Sequence, residues 1–367
     1  MNKKALLIWA ALAVAVLFVA GCERKVVVED DDQTSLASCF TCHGDQEFAM
    51  LAAKNQWERS QHASGENADR NRNYDPVRYQ SCEKCHTNEG FIAELTGTPY
   101  PGGEFSVIGC FTCHAPHTNG NLDLRTTAAT ALKNGDSYDR SESNICARCH
   151  QARENATTYI VDGVRLTTRW GPHHSNQADM LIGSNAYEYE GFTYRNSAHT
   201  NAAADGCLNC HMAPGISNMV GGHTFRMYDE DSQHILVSGC NTATCHNGAV
   251  SSSFNITADE DYDWDGNTEG VEDEITGLLD SLFVLLRAGN LITTSGSPVN
   301  NRVVALAESA GAVYNYLFVE EDRSNGIHNT EYAAGLLQSS INYLATGDPN
   351  GLFRRPGIGK LTMAAAH

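Results

Sequence analysis

The chain has 367 residues, a formal net charge of −19 and 8% aromatic residues. The negative charge argues against nucleic acid as a partner, because phosphates are neutralised by lysine and arginine, and it favours cationic or small-molecule partners. Few aromatic side chains and 32 glycines predict a loop-rich protein whose interior is filled partly by something other than side chains.

Residues 1–21 are predicted to be a lipoprotein signal peptide. A basic start, "MNKK", precedes an apolar run that ends in "VAGC" at Cys22. This ending is typical of a bacterial lipobox, in which the cysteine is lipidated. The alternative is an uncleaved membrane anchor, because the apolar run is almost long enough to span a bilayer. Residues 22–38 are polar and predict a flexible tether. The expectation is an exported lipoprotein of the cell envelope that contacts the membrane through Cys22.

All cysteines except Cys22 occur in pairs followed directly by a histidine. Five pairs have the spacing C-x-x-C-H of c-type haem attachment, and the sixth, "CNTATCH", has four residues between its cysteines. Repetition and the export signal argue against a redox motif or half a zinc site. The motifs are Cys39, Cys42 and His43; Cys82, Cys85 and His86; Cys110, Cys113 and His114; Cys146, Cys149 and His150; Cys207, Cys210 and His211; Cys240, Cys245 and His246. The sequence therefore predicts six covalently bound haem c groups in a domain of residues 39–250, each with the motif histidine as one axial ligand.

Nine further histidines could supply the second axial ligands, of which six are needed. They are His62, His117, His173, His174, His199, His223, His234, His328 and His367. His117 is too close to His114 to reach the opposite face of the same haem, so we expect it to ligate a neighbouring iron. His173 and His174 are adjacent and the sequence does not separate them. His234 is a candidate for the last place because it lies shortly before the sixth motif.

An acidic segment after the sixth motif predicts a calcium site. Residues 261–272, "DYDWDGNTEGVE", fit the EF-hand loop pattern D-x-D-x-D-G-x5-E. The expected ligands are side-chain oxygens of Asp261, Asp263, Asp265 and Glu272 and the backbone carbonyl of Asn267. The alternative is a solvated acidic turn without an ion.

Helices are predicted in the remainder of the region 251–367. Ile275, Leu278, Leu279, Leu282 and Leu286 recur along one face of a helix. A second helix is predicted over residues 302–322, and a third begins near Asn329, a suitable N-cap. The expected fold is mainly α with extensive irregular loops, packed around covalent haems. A C-terminal helical hairpin would pack on the haem core, pinned by the calcium ion.

The chain resembles the multihaem cytochrome c superfamily that includes the pentahaem, ammonia-forming nitrite reductases. The resemblance runs from about residue 80 to about residue 345 and rests on "SAHTNAAADGCLNCHM", "GGHTF" and "EDRSNGIHNTEYAAGLL". It implies that His199, His223 and His328 are distal haem ligands, which favours His328 over His234. By analogy with the reductases, the C-terminal helices could also form a homo-oligomer interface.

The chain departs from these reductases at their catalytic residues. The motif that would carry the catalytic lysine reads "CEKCH", with His86 in that place. The family's catalytic tyrosine has no counterpart in "CARCHQAREN", and Glu188 lies near the expected place of the catalytic histidine. The expected distal haem ligands are therefore His62, His117, His173, His199, His223 and His328.

These patterns predict an electron-transfer protein rather than an enzyme. A lipid-anchored hexahaem cytochrome would relay electrons through bis-histidine haems, within the periplasm or toward extracellular acceptors. Its expected partners are other cytochromes or a quinol-oxidising membrane complex. Two alternatives stay open at this point: a nitrite- or hydroxylamine-type reductase with one open haem, and a subunit of an extracellular cytochrome filament.

Overall fold

The computed structural model describes residues 48–64, 74–75, 81–119, 121–215 and 217–351. By internal contacts the chain divides into two units, Met1–Met50 and Leu51–His367. The predicted signal peptide, Cys22, the tether, the first motif (Cys39, Cys42 and His43) and His367 lie outside the described residues.

The described chain is mainly helical with long irregular connections, as expected from the sequence. Its helices are α1 Phe48–Glu58, α2 Glu83–His86, α3 Asn88–Thr96, α4 Cys110–Cys113, α5 Pro116–Asn119, α6 Asn144–Ala147, α7 Ala156–Tyr159, α8 Gln177–Ile182, α9 His199–Ala202, α10 Cys207–His211, α11 Val271–Ala288, α12 Ala307–Asp322 and α13 Thr330–Thr346. Two short 3-10 turns occur at Ser141–Ser143 and Gly222–Thr224.

Strands contribute only short antiparallel pairs within the described residues. These are β1 Thr130–Ala131 with β2 Ser137–Tyr138, β3 Val164–Arg165 with β6 Val303–Val304, and β4 Tyr228–Asp229 with β5 His234–Ile235. Two residues per strand give too few ladder hydrogen bonds for an independent sheet. The pairs therefore close loops rather than form a layer.

Helix α11 has the amphipathic pattern that the sequence predicts. Ile275, Leu278, Leu282 and Leu286 are completely buried, whereas Leu279 is only partly buried. Glu272, Asp273 and Glu274 lie in the first turn and Arg287 in the last, which complements the helix dipole. The prediction of this helix and of its apolar face is confirmed.

Helix α12 begins later than predicted. Residues Val303–Val304 form β6, with Val304 opposite Val164, so the helix starts at Ala307 instead of residue 302. Extended pairing suits two adjacent β-branched residues better than a helical turn does. Most of α12 is buried, and the buried Asn315 side chain accepts from the Tyr187 N–H (2.9 Å) and donates to the Tyr187 carbonyl (2.8 Å).

Helix α13 begins at Thr330, next to the predicted N-cap Asn329, but the Asn329 side chain does not cap it. That amide is buried and instead donates to the Met180 carbonyl and accepts from the Ser197 N–H. These tertiary hydrogen bonds use the polar atoms of the Asn329 side chain that would otherwise cap the helix. Each of α11, α12 and α13 contacts the other two, so the expected C-terminal hairpin is a bundle of three helices.

The largest apolar cluster is built by these three helices together with residues of the segment 156–186, among them Leu166, Trp170 and Met180. Around the cysteine motifs the buried apolar side chains form two much smaller clusters, one including Tyr138 and Leu181 and the other Val220 and Leu236. In the part of the chain that the structure describes, no helix combines the length and apolarity needed to cross a bilayer.

Candidate metal centres

In four of the five described motifs, the histidine is hydrogen-bonded through the backbone to the first cysteine. The histidine N–H donates to the cysteine carbonyl at 3.1 Å for His86 to Cys82, 2.9 Å for His114 to Cys110, 2.9 Å for His150 to Cys146 and 3.0 Å for His246 to Cys240. A helical turn produces this bond in a C-x-x-C-H motif, because the histidine is four residues after the first cysteine. The sixth motif keeps the bond despite its two extra residues. Its histidine is therefore placed relative to its first cysteine as in the other motifs.

The ten cysteines of the described motifs form no disulfide bonds with one another. In α10, Cys207 and Cys210 are three residues apart and therefore share one face of the helix, with His211 directly after the second thiol. This arrangement offers two sulfur nucleophiles and one imidazole to a single ligand.

Five motif histidines each lie opposite one histidine from outside the motifs. We number each site by its motif in chain order. The ring centroids are 6.2 Å apart for His86 and His173 (site 2), 6.3 Å for His114 and His223 (site 3), 6.2 Å for His150 and His62 (site 4), 6.3 Å for His211 and His328 (site 5), and 6.0 Å for His246 and His199 (site 6).

These separations match the space that one metal ion between two imidazoles requires. A metal–imidazole bond of about 2 Å and about 1.1 Å from the nitrogen to the ring centre, taken on both sides, give about 6.2 Å between centroids. The pairs combine residues far apart in sequence and different secondary-structure elements, yet their spacings differ by only a few tenths of an ångström. One metal ion held between the two rings of each pair would explain why the five centroid separations are so similar.

In each of the five sites, at least one histidine ring forms a hydrogen bond through Nδ1. The oxygen partners are the Leu122 carbonyl for His114, Gln177 Oε1 for His150, Ser175 Oγ for His173, the Ile327 carbonyl for His199, the Phe225 carbonyl for His211 and Asp322 Oδ1 for His328. A carbonyl or carboxylate oxygen can only accept, so the proton resides on Nδ1 in those rings. Their Nε2 atoms then carry the lone pair that a metal needs.

Burial keeps several of these imidazoles neutral. Desolvation, followed by the neighbouring His150, lowers the pKa of His62 from 6.5 to about 4. Desolvation, followed by Arg153, His174 and His86, lowers the pKa of His173 to about 4 as well. A metal binds the deprotonated ring nitrogen, so a depressed pKa removes the competition with protons at neutral pH.

The structure separates the histidines that the sequence leaves as alternatives. His173 faces His86, whereas the neighbouring His174 is exposed and its Nδ1 contacts the Glu321 carboxylate. His328 faces His211, whereas His234 Nδ1 lies 2.9 Å from Ser217 Oγ. His117 is exposed and its ring centroid is 5.7 Å from that of Phe111. It belongs to none of the five pairs, so the neighbouring iron that it was expected to ligate is not at one of these sites.

Contacts between motif segments connect site 2, site 4 and site 5. Cys85 Sγ donates to the Arg148 carbonyl and Cys149 Sγ to the Lys84 carbonyl, both at 3.9 Å. The N–H of Leu208, next to Cys207, donates at 3.1 Å to the hydroxyl oxygen of Ser143, three residues before Cys146. Ligands attached at these cysteines would be in close proximity, because each thiol is the attachment point of its own motif.

Two further residues connect neighbouring sites. The Phe225 ring lies 5.1 Å from that of His62 in site 4 and 6.0 Å from that of His223 in site 3. Ile327 accepts from His199 of site 6 and directly precedes His328 of site 5. The five sites thus form one connected group.

The acidic loop brings together three of the predicted calcium ligands. Carboxylate oxygens of Asp261, Asp263 and Asp265 all lie within 4.8 Å of one another. The Gly266 N–H donates to Asp261 Oδ2 (3.0 Å) and the Asp265 N–H to Asp263 Oδ1 (3.1 Å). Asp261 Oδ1 is buried and has no hydrogen-bond partner among the described residues. Three converging carboxylates with an orphaned oxygen fit a hard cation.

Two glutamates outside the predicted ligand set also interact with this loop, one within it and one at the start of α11. Glu269 has a raised pKa, caused first by the charge of Asp265 and then by burial and by Asp263. It occupies the ninth loop position, where EF-hands often ligate through water, so the pattern itself could have identified it. Glu274 is buried and accepts from the backbone N–H groups of Tyr262, Asp263 and Glu269.

The remaining expected ligands are not in the carboxylate group. Glu272 lies in the first turn of α11, and its backbone N–H donates to Asn255 Oδ1. Asn267 donates to Asp265 Oδ1 through its backbone N–H and its side-chain amide. Among the described residues, Glu274 rather than Glu272 connects the acidic turn to the helix.

Glu188, which lies near the expected place of the reductases' catalytic histidine, is exposed. Its carboxylate accepts from the Tyr332 hydroxyl at 2.9 Å.

A comparison of the chain with protein-family models, curated proteins and solved structures gave no match.

Proposed function

We propose that this protein is a six-haem c-type cytochrome that transfers electrons, with an imidazole on each side of every iron. The observation that carries the proposal is the set of five histidine pairs with ring centroids 6.0–6.3 Å apart, each combining a motif histidine with one from elsewhere. Haem iron would supply a one-electron Fe(III)/Fe(II) couple.

The chain's own residues would hold and orient this couple. The cysteine pairs would form thioether bonds, and the Nδ1 hydrogen bonds of His114, His199 and His211 to backbone carbonyls would keep each imidazole in one orientation. If the two imidazoles of each pair held one iron between them, no position on that iron would be left for nitrite or hydroxylamine. The residues therefore favour electron transfer over reduction of a bound substrate.

Contacts between the sites suggest a route. Site 2 adjoins site 4 through the contacts of Cys85 with Arg148 and of Cys149 with Lys84. Site 4 adjoins site 5 through Ser143 and Leu208, and site 5 adjoins site 6 through Ile327. Site 3 would join at site 4 through Phe225.

We further propose that Ca²⁺ binds Asp261, Asp263 and Asp265, with Glu269 as an additional ligand, directly or through water. The ion would neutralise the crowded carboxylates and fix the loop against the start of α11, where Glu274 already holds three of its backbone N–H groups. Its role would be structural, because no site histidine lies in this loop.

The proposed setting is the cell envelope, with the mature chain anchored through a lipid on Cys22. The acidic surface, with a net charge of −19, suits transient contact with basic patches on redox partners such as other cytochromes or a quinol-oxidising complex. Self-association through the C-terminal helices and assembly into a filament stay alternatives, which electron microscopy of the purified protein distinguishes.

Spectroscopy of the purified holoprotein tests the proposal. Intact mass should give six haems per chain, and the EPR spectrum of the oxidised protein should contain only low-spin Fe(III). Cyanide should leave the optical spectrum unchanged. A high-spin signal that responds to cyanide, nitrite or hydroxylamine would instead favour the reductase, and a chain without covalent haem would overturn the proposal.

A further inference from the structure

We propose that Asp322 is a positioning residue that lowers the reduction potential of site 5 through its hydrogen bond to His328, making site 5 more reducing than the adjoining site 4. This inference rests on the proposed function. It concerns Asp322, which belongs neither to the haem motifs nor to the candidate histidine ligands.

The contact is a short bond from a buried carboxylate. Asp322 Oδ1 accepts from His328 Nδ1 at 2.8 Å, and only 3% of Asp322 is exposed. The other carboxylate oxygen, Oδ2, accepts from the Ser324 hydroxyl, and Ser324 Oγ in turn accepts from the His328 N–H at 3.2 Å. One short turn therefore fixes both the carboxylate and the imidazole that it contacts.

An isolated carboxylate would be costly at this position. Asp322 is the last residue of α12, where the partial negative charge of the helix end disfavours an anion. Burial adds a desolvation cost. Both costs would be offset if His328 carried a metal cation on its other nitrogen, because the carboxylate would then face a net positive group.

The adjoining site 4 has a weaker acceptor in the same role. His150 Nδ1 lies 3.2 Å from Gln177 Oε1, a neutral amide oxygen. Gln177 also donates through Nε2 to the backbone carbonyls of Glu321 (3.2 Å) and Asp322 (3.4 Å). The two sites are therefore connected through one glutamine but differ in the charge of the group that their histidine meets.

The direction of the effect follows from ligand basicity. A carboxylate that takes up the Nδ1 proton gives the imidazole more anionic character and makes Nε2 a stronger donor. A stronger donor stabilises Fe(III) more than Fe(II), and second-shell hydrogen bonds of this kind are among the means by which a protein sets a haem potential. Site 5 also has a carbonyl acceptor on its motif ligand, since His211 Nδ1 donates to Phe225 at 2.9 Å.

Spectroelectrochemical titration of the holoprotein and of Asp322→Asn tests the inference. The substitution keeps the shape of the side chain and removes its charge. We expect the reduction potential of one of the six haems to rise by about 59 mV, which is a tenfold change in the equilibrium constant for its one-electron reduction. The low-spin EPR signal of one haem should shift with it. Asp280→Asn is the matched control, because it is the same substitution at an exposed aspartate of the helix bundle.

The outcomes separate the two proposals. Six low-spin haems with a titration curve of Asp322→Asn that superimposes on the wild type would overturn the inference and leave the proposed function intact. A wild-type chain without haem would overturn both. If Asp322→Asn binds fewer than six haems, the variant Ser324→Ala tests the inference instead. This substitution removes the hydroxyl that donates to Asp322 and leaves more negative charge on the carboxylate. We therefore expect the reduction potential of the site 5 haem to fall, and no shift would overturn the inference.

Discussion

His173 lies opposite His86 with 6.2 Å between the ring centroids, although the adjacent His174 has the same side chain. We therefore expect His173→Ala to remove one axial imidazole from site 2 only. The oxidised variant should gain a high-spin EPR signal from one haem of six, and added cyanide should convert it to low spin. His174→Ala is the control, because its Nδ1 contacts Glu321 instead. Equal spectra of the two variants would contradict the assignment.

Removal of calcium should destabilise the fold. A ligand present at about 100 times its dissociation constant stabilises the native state by about 2.7 kcal/mol, so we expect a chelator to lower the midpoint of thermal unfolding. Asp261→Asn should abolish the difference between calcium and chelator, because Asp261 supplies the orphaned oxygen. The exposed Asp259→Asn should retain it. A wild-type midpoint insensitive to calcium would exclude the ion.

Titration of Asp179 should lower the free energy of unfolding as the pH rises from about 4 to about 6. Burial raises the pKa of this carboxyl from 3.8 to about 6, although the Ala152 N–H and the Asn185 amide donate to it. Between these values the unfolded chain has lost the proton that the folded chain still binds, so higher pH favours unfolding. The full loss corresponds to about 3 kcal/mol.

Urea denaturation at pH 4 and pH 7 measures this effect as a difference between wild type and Asp179→Asn, which lacks the titrating group. The stability of the wild type relative to the variant should fall by up to about 3 kcal/mol over that range. The exposed Asp231→Asn serves as the control. If Asp179→Asn keeps the wild-type pH dependence, Asp179 does not cause it.

Leu282→Ala should destabilise the three-helix bundle. Leu282 is completely buried on α11, and removal of a buried leucine side chain costs about 2–5 kcal/mol through lost transfer energy and a cavity. Val284, two residues along the same helix, is 43% exposed, so Val284→Ala should change stability by about 0.5 kcal/mol or less. Thermal unfolding of both variants compares them, and equal midpoints would contradict the packing of this helix face.

Much of the local structure follows from spacing along the chain. The helical turn of Cys207–His211, the helix face of Ile275 and the convergence of Asp261, Asp263 and Asp265 were predictable, because each involves residues within a few turns of one another. The start of α12 was not, because Val304 pairs with Val164, far away in the sequence. The carboxylates of Glu274 and Asp322 were equally unpredictable, since their partners depend on how a helix end meets a loop.

The sequence by itself determined the inventory: paired thiols with an adjacent imidazole, a surplus of histidines and an acidic loop. Covalent geometry and the period of a helical turn act within a few residues, so these features can be read from order alone. Only the tertiary structure decided which spare histidine faces which motif, as in His62 with His150 and His328 with His211. Such pairs form because distant segments pack together, and no local spacing encodes that packing.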